Sequence, residues 1–171
     1  MKFTKTLLLC GATLSNTVFA LATDSEQPIN IVADKASIDD ASGTAIYEGN
    51  VVITQGTIQM NAAKVTLNYT AKQTLDKVTA EGDPVSFKQT PEGGKEDIRA
   101  KAKKMEYFAD KNTIHLTQQA ELSQGKDSFA GEHISYNTQD GIIKADKGGS
   151  EKGRISVVIQ PRPKETNNEK K

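Results

Sequence analysis

The sequence predicts an all-β protein of many short strands with an internal two-fold repeat. Three observations predict it. Apolar and polar residues alternate with a period of two along most of the chain. Turn-forming clusters punctuate these runs. The middle of the chain also overlays itself without gaps when shifted by 69 positions, so that YEGNVVITQG (47–56) falls on LTQQAELSQG (116–125) and AAKVTLNY (62–69) on GEHISYNT (131–138). Few identities survive, among them Thr44 with Thr113, Gln55 with Gln124, Gly56 with Gly125 and Asn68 with Asn137. Apolar positions persist better: Ile29 with Ile98, Ala36 with Met105, Ile38 with Tyr107, Ile53 with Leu122, Met60 with Phe129, Val65 with Ile134 and Leu67 with Tyr136. Keeping the buried positions while losing identity is the mark of a doubled structural unit.

The first element is a leader. Lys2 and Lys5 are followed by an apolar run over 7–18, and Val18, Ala20 and Ala22 supply small residues for cleavage. This predicts a secretory signal peptide over 1–20, with Ala22 the alternative cleavage point, because the run is too short to span a bilayer. Cys10 follows Leu9 rather than a small residue, which argues against a lipoprotein signal. Beyond the leader there is no cysteine, so disulfides and thiolate metal sites are excluded from the mature chain. The 22 Lys and Arg balance 22 Asp and Glu, and losing Lys2 and Lys5 leaves the mature part at about −2. Neither that charge nor an aromatic content of 5% without tryptophan suits a nucleic-acid partner.

Strand patterns then follow in order: Ile29, Ile31 and Ala33; Tyr47, Gly49, Val51 and Ile53; Ile58 and Met60; Val65, Leu67 and Tyr69; Val85 and Phe87. Met105 and Tyr107, Ile114 and Leu116, Ile134 and Tyr136, and finally Ile155, Val157 and Ile159 continue the series. Residues two apart share a sheet face, so each run has one apolar side. Turn formers at 39–43, 55–56, 81–84, 91–94, 109–112, 124–127, 139–141 and 148–149 separate them. Strands of roughly 5–7 residues with such spacing fit a sandwich, a barrel or a stacked sheet. Residues 96–109 are rich in Lys and Ala and could be helical on propensity. They overlay the strand-like 27–40, so strand is the reading adopted. One domain over 21–160 and a disordered polar tail over 161–171 complete the expected organisation.

Catalytic signals are weak. His115 and His133 overlay Ile46 and Lys64, which reads as solvent-facing strand histidines rather than one catalytic centre. No zinc-protease, nucleophile-elbow or Walker motif occurs. Asp39, Asp40, Glu48 and Glu81 sit at turns or on polar faces, where carboxylates keep strands soluble. No enzyme activity, cofactor or metal is expected.

One stretch carries a resemblance. GNVVITQGT (49–57) lies within YEGNVVITQGTIQMNAAKVTL (47–67), preceded by QPINIVADKASID (27–39) and followed by EGDPVSF (81–87) and KKMEYF (103–108). In order and spacing these segments resemble the OstA-like LptA family of lipopolysaccharide-transport proteins, from the leader to about Ile159. The second unit departs most, with Gln118-Gln119 where the first has Gly49-Asn50. The resemblance implies a twisted, open β-jellyroll of many short antiparallel strands in the periplasm. It implies binding of lipopolysaccharide in an apolar groove and transfer from the inner to the outer membrane along a head-to-tail oligomer. LptC at the inner membrane and LptD at the outer membrane would be the partners, and an ATP-driven transporter the source of energy.

The apolar strand face is expected to line that groove: Ile29, Ile31, Ile38, Val51, Ile53, Met60, Leu67, Phe87, Met105, Tyr107, Leu116 and Phe129. The resemblance adds Tyr69 and sets Ile29, Ile31, Tyr69, Phe87 and Tyr107 at positions matching the family's lipid-facing ones. Any of them could instead pack as core. For the oligomer interface, the last strand (Ile155, Val157, Ile159) is expected to pair with the first strand (Ile29, Ile31) of the next copy. Two alternatives share the periodicity: a scaffold with a filled core and no cargo, and a carbohydrate-acting hydrolase on a jellyroll.

Overall fold

A computed structural model describes residues 24–91, 93–149 and 153–161. The expected signal peptide, and the expected tail beyond Pro161, lie outside the described residues. Ten strands follow in order: β1 (Asn30–Val32), β2 (Lys35–Asp39), β3 (Thr44–Gln55), β4 (Ile58–Tyr69), β5 (Leu75–Gln89), β6 (Ile98–Phe108), β7 (Thr113–Gln124), β8 (Asp127–Asn137), β9 (Ile143–Asp146) and β10 (Ser156–Val158). The other regular elements among the described residues are single 3-10 turns at Asp24–Glu26 and Ala109–Lys111. The segment 96–109, helical on propensity alone, forms β6 and the start of the second turn.

All pairings are antiparallel and form one sheet in the order β1-β3-β4-β5-β6-β7-β8-β10. β2 pairs with the half of β3 that β1 leaves free, and β9 does the same on β8. The reason is a crease. Each pair of long strands changes register in mid-length, at Glu48/Val51, Asn61/Lys64, Glu81/Val85, Lys101/Lys104 and Thr117/Ala120. A bulge bends its strand, and bulges aligned across neighbours bend the whole sheet. The result is two arms meeting along a line, with each long strand contributing to both. Strands of 5–7 residues therefore describe one arm; β3 to β8 run through both and span 11–15 residues. The Glu81-Gly82-Asp83-Pro84 cluster, expected to be a turn, is the crease of β5 and not its end.

Apolar residues form continuous rows across the inner face of each arm. On the first arm Ile31, Ile53, Met60, Phe87, Ala100, Leu122, Phe129 and Val157 stand opposite one another in succession. On the second arm the row is Ile38, Ala45, Leu67, Val78, Tyr107, Ile114, Tyr136 and Ile143. Apart from the exposed end members Ile38 and Val157, both rows belong to one hydrophobic cluster, so the arms face each other. Among the described residues no polar side chain is buried and none of the buried side-chain N or O atoms lacks a partner. The interior is consequently held by apolar burial and the ladder, and the described residues contain no cysteine.

The repeat is visible in three dimensions. A shift of 69 carries β3 onto β7, β4 onto β8, and β1 with β2 onto β6. Even hydrogen bonds repeat: Tyr69 N donates to Gly43 O, and Thr138 N to Asn112 O, both at 2.8 Å. The shared bend is retained where the sequences diverge. Gly49 and Asn50 have φ of 78° and 45°, and Gln118 and Gln119 have φ of 65° and 54°. Left-handed backbone costs a residue with a Cβ about 1–2 kcal/mol, so the second unit forms its crease against a local preference. At the first crease the chain uses a glycine, since a Cβ on Gly49 would lie 2.8 Å from the Cβ of Asp34. Gln118→Gly is therefore expected to raise the unfolding free energy by about 0.5–1 kcal/mol, after the entropy cost of glycine. Gly49→Gln should lower it by more. Urea melts of both variants check this opposite pair of signs.

Candidate functional site

The facing arms leave a cavity of about 740 Å³ between them. Its floor comes from both arms: Ile53, Ile58, Met60 and Phe87 on the first, Leu67, Leu75, Val78, Met105, Tyr107 and Ile114 on the second. Polar residues stand at both rims. Asp24, Gln55, Gln89 and Lys95 lie at the tips of the first arm, Asn112, Thr138 and Gln139 at the tips of the second. The rim is tied down locally. Asp24 accepts hydrogen bonds from Thr57 N at 2.6 Å, Thr57 Oγ1 at 2.8 Å and Gln89 Nε2 at 3.0 Å. Gln55 Nε2 donates to Gln27 O at 3.1 Å. These bonds hold the segment before β1 against the hairpin between β3 and β4, with Ile29 at the cavity wall.

The walls are uncharged. Burial pushes the Tyr107 hydroxyl above the ordinary phenol range, and the hydroxyl donates to Asn112 Oδ1 at 3.4 Å. Tyr69 is raised by burial and then by the neighbouring Tyr47. A second pocket of about 190 Å³ opens at the tip of the second arm near β2, lined by Ile38, Ala45, Tyr47 and Tyr69 among others. Such a chamber, apolar within and polar at its lips, suits an aliphatic ligand with a hydrated head. Among the described residues no group of three or more His, Cys, Asp or Glu is arranged to hold a metal ion.

The expected lipid-facing residues divide into three sets. Ile29, Ile53, Met60, Leu67, Phe87, Met105 and Tyr107 line the larger cavity. Ile38 and Tyr69 line the smaller one. Ile31, Val51, Leu116 and Phe129 line neither. Val51 and Leu116 are buried beside the crease, at 1% and 0% exposure, where the arms converge. Ile31 and Phe129 pack against the cluster from the two ends of the first arm. Sequence reasoning did not select Ile58, Leu75, Val78 or Ile114. Ile58 and Ile114 carried the same alternation signal as their neighbours; Leu75 and Val78 fall in a polar stretch with no alternation to mark them. Of the expected interface residues, Ile29, Ile155, Val157 and Ile159 are exposed large apolar side chains. β1 and β10 are the two ends of the sheet order.

A family profile described as LptA/(LptD N-terminal domain) LPS transport protein matches residues 30–142. The chain is 38% identical over 173 residues to the lipopolysaccharide export system protein LptH of Pseudomonas aeruginosa, covering 96% of this chain and 99% of that protein. The chain belongs to the LptA/LptD N-terminal family. LptA of Haemophilus influenzae is 37% identical, with 94% and 95% covered, and LptA of Escherichia coli K12 is 31% identical, with 99% and 91% covered. The crystal structure of LptH, described as the LptA-homologous periplasmic component of the conserved lipopolysaccharide transport device of Pseudomonas aeruginosa, superposes with a TM-score of 0.74 at 37% identity. It covers 82% of this chain and all of that one. This family member thus has the open β-jellyroll that the sequence resemblance implied, and its creased sheet is the form the jellyroll takes here.

Proposed function

We propose that the protein is a periplasmic carrier that binds the acyl chains of lipopolysaccharide between its arms and passes them along a head-to-tail oligomer toward the outer membrane. The observation that carries the reading is the apolar cavity of about 740 Å³ with neutral walls and polar rims. Each acyl methylene moved out of water gains about 0.8 kcal/mol, so a chain of about twelve carbons gains roughly 9 kcal/mol. Dispersion and hydrophobic contacts have no preferred direction, so a lipid held by them alone can slide. The sugars stay at the rims. The protein performs no chemistry on its cargo in this reading, and no helix of the described residues is long and apolar enough to cross a membrane.

The repeat supports the head-to-tail contact. Inside the chain β5 pairs with β6. β6 is the repeat partner of β1 with β2, while β9 and β10 flank β8 as β5 flanks β4. The pairing of β9 and β10 with β1 and β2 of the next copy would copy the β5–β6 junction. Phe87 and Val157 hold matching places, opposite Met60 and Phe129, and Ala100 matches Ile31. The free edges also suit LptC at one end and LptD at the other, since the family profile itself includes the LptD N-terminal domain.

Photoreactive residues test the cargo. Substitution at Phe87 or Met60 is expected to give lipopolysaccharide adducts, and substitution at Lys35 or Glu106 on the outer face none. Adducts from the outer positions alone would overturn the assignment of faces. Breakdown of labelled lipopolysaccharide by the purified protein would point to the hydrolase instead.

A further inference from the structure

The outer face of the second arm carries a cluster that the groove does not use. His115 Nδ1 and His133 Nε2 lie 3.1 Å apart. The sequence reading treated these histidines as separate, but the β7–β8 register sets Thr117 opposite His133 and Ser135 opposite His115, which makes the two histidines diagonal neighbours. His133 Nδ1 lies 3.0 Å from Asp146 Oδ2 on β9. A carboxylate only accepts, so His133 Nδ1 carries the proton and donates, leaving Nε2 with its lone pair. That lone pair accepts from His115 Nδ1–H, so an ion between the two nitrogens takes the place of this proton and His115 then carries its proton on Nε2. Asp146 is itself oriented, since its Oδ1 accepts from Gly148 N at 2.7 Å.

We propose that His115 Nδ1 and His133 Nε2 form a two-imidazole site for a divalent transition ion such as Zn²⁺ or Ni²⁺, with Asp146 as the outer carboxylate that orients His133. Imidazole nitrogens at about 2.0–2.1 Å from a tetrahedral Zn²⁺ stand roughly 3.3–3.4 Å apart, so the observed 3.1 Å needs only a small opening. A carboxylate on the far nitrogen of a ligating histidine fixes its tautomer and raises its basicity. The pair is reachable, because the His133 side chain is 26% exposed. Water would complete the coordination shell, as no third ligand among the described residues converges with the pair. The surrounding charges are mixed. Glu106 stands opposite His115 but is engaged by Lys104 at 3.1 Å and Lys77 at 3.6 Å. Lys111 lies 5.6 Å from the ring of Phe108, which forms a T-shaped pair with His115. Burial, followed by His133, holds the His115 imidazole below its ordinary range.

Isothermal titration of the tag-free mature protein with zinc chloride at pH 7.5 tests the site. The expected result is one ion per chain, with affinity reduced at least tenfold in His115→Gln and in His133→Gln and about tenfold in Asp146→Asn. Circular dichroism confirms that each variant keeps its β structure, since all three side chains reach the surface. Binding should weaken as the pH is lowered, since protons and the ion compete for the same imidazole nitrogens. No heat at millimolar zinc, or an isotherm unchanged in both histidine variants, would overturn the proposal.

Discussion

A chain carrying Ile31→Cys together with Val157→Cys is expected to form a ladder of disulfide-linked multimers on mild oxidation. The sequence has a single cysteine, Cys10 in the expected signal peptide, so a chain produced from residue 21 has none of its own and the background is clean. The argument rests on register. Phe87 stands opposite Ala100 where β5 meets β6, and Val157 and Ile31 hold the corresponding places at the two free edges. Directly opposed residues of an antiparallel pair have Cβ atoms about 4.5–5.5 Å apart, near the reach of a disulfide. Within one copy the two positions lie at opposite ends of the strand order, so an intramolecular link is not the competing product. Ile38→Cys with Val157→Cys places the thiols on different arms and should stay largely monomeric. The charge substitution Val157→Asp should prevent chain growth while leaving the fold intact, because Val157 is 44% exposed. Multimers that formed equally from both cysteine pairs would defeat the proposed register.

Leu116→Ala is expected to lower the unfolding free energy by about 2–5 kcal/mol, the range for emptying a packed leucine site. Leu116 has no exposure and lines neither cavity. Ile38→Ala removes a similar volume from a side chain that is 67% exposed, and should change stability by under about 1 kcal/mol. If Ile38 meets lipid, the same substitution should weaken lipopolysaccharide retention although the melt barely moves. Denaturant melts paired with lipid binding on the two variants separate residues that hold the sheet together from residues that hold cargo. A large stability loss in Ile38→Ala, or an unaffected Leu116→Ala, would reverse that division.

Much of the fold was legible because a period of two reports sheet faces directly. Met60, Leu67, Phe87 and Tyr107 were selected on alternation, and all point inward. The crease was less legible. β4 changes which alternate residues face inward between Ala62 and Val65, and β6 does so between Ala102 and Met105. A strictly alternating pattern cannot cross such a point, so a continuous strand looks like two short ones. In β5 the Gly-Asp-Pro chemistry at the bend is also turn chemistry, which produced the misplaced turn at 81–84. At Gln118-Gln119 nothing local signals a bend; only the match to Gly49-Asn50 does, and that signal lies 69 residues away. Separating wall from core among the inward residues depends on how far apart the arms stand at each row. No property of a single residue encodes that separation, which is why Val51 and Leu116 could not be told from Ile53 and Met60. The histidine pair was hidden for a related reason, since diagonal neighbours require the register of two strands.

The duplication has a consequence for assembly size. If joining two molecules reproduces a seam already present inside each one, every added subunit leaves behind the same two unsatisfied ends with which it arrived. Such a polymer carries no ruler. Its span has to be set by terminators, proteins offering one compatible edge and no second, and the distance between membranes is then counted in whole subunits.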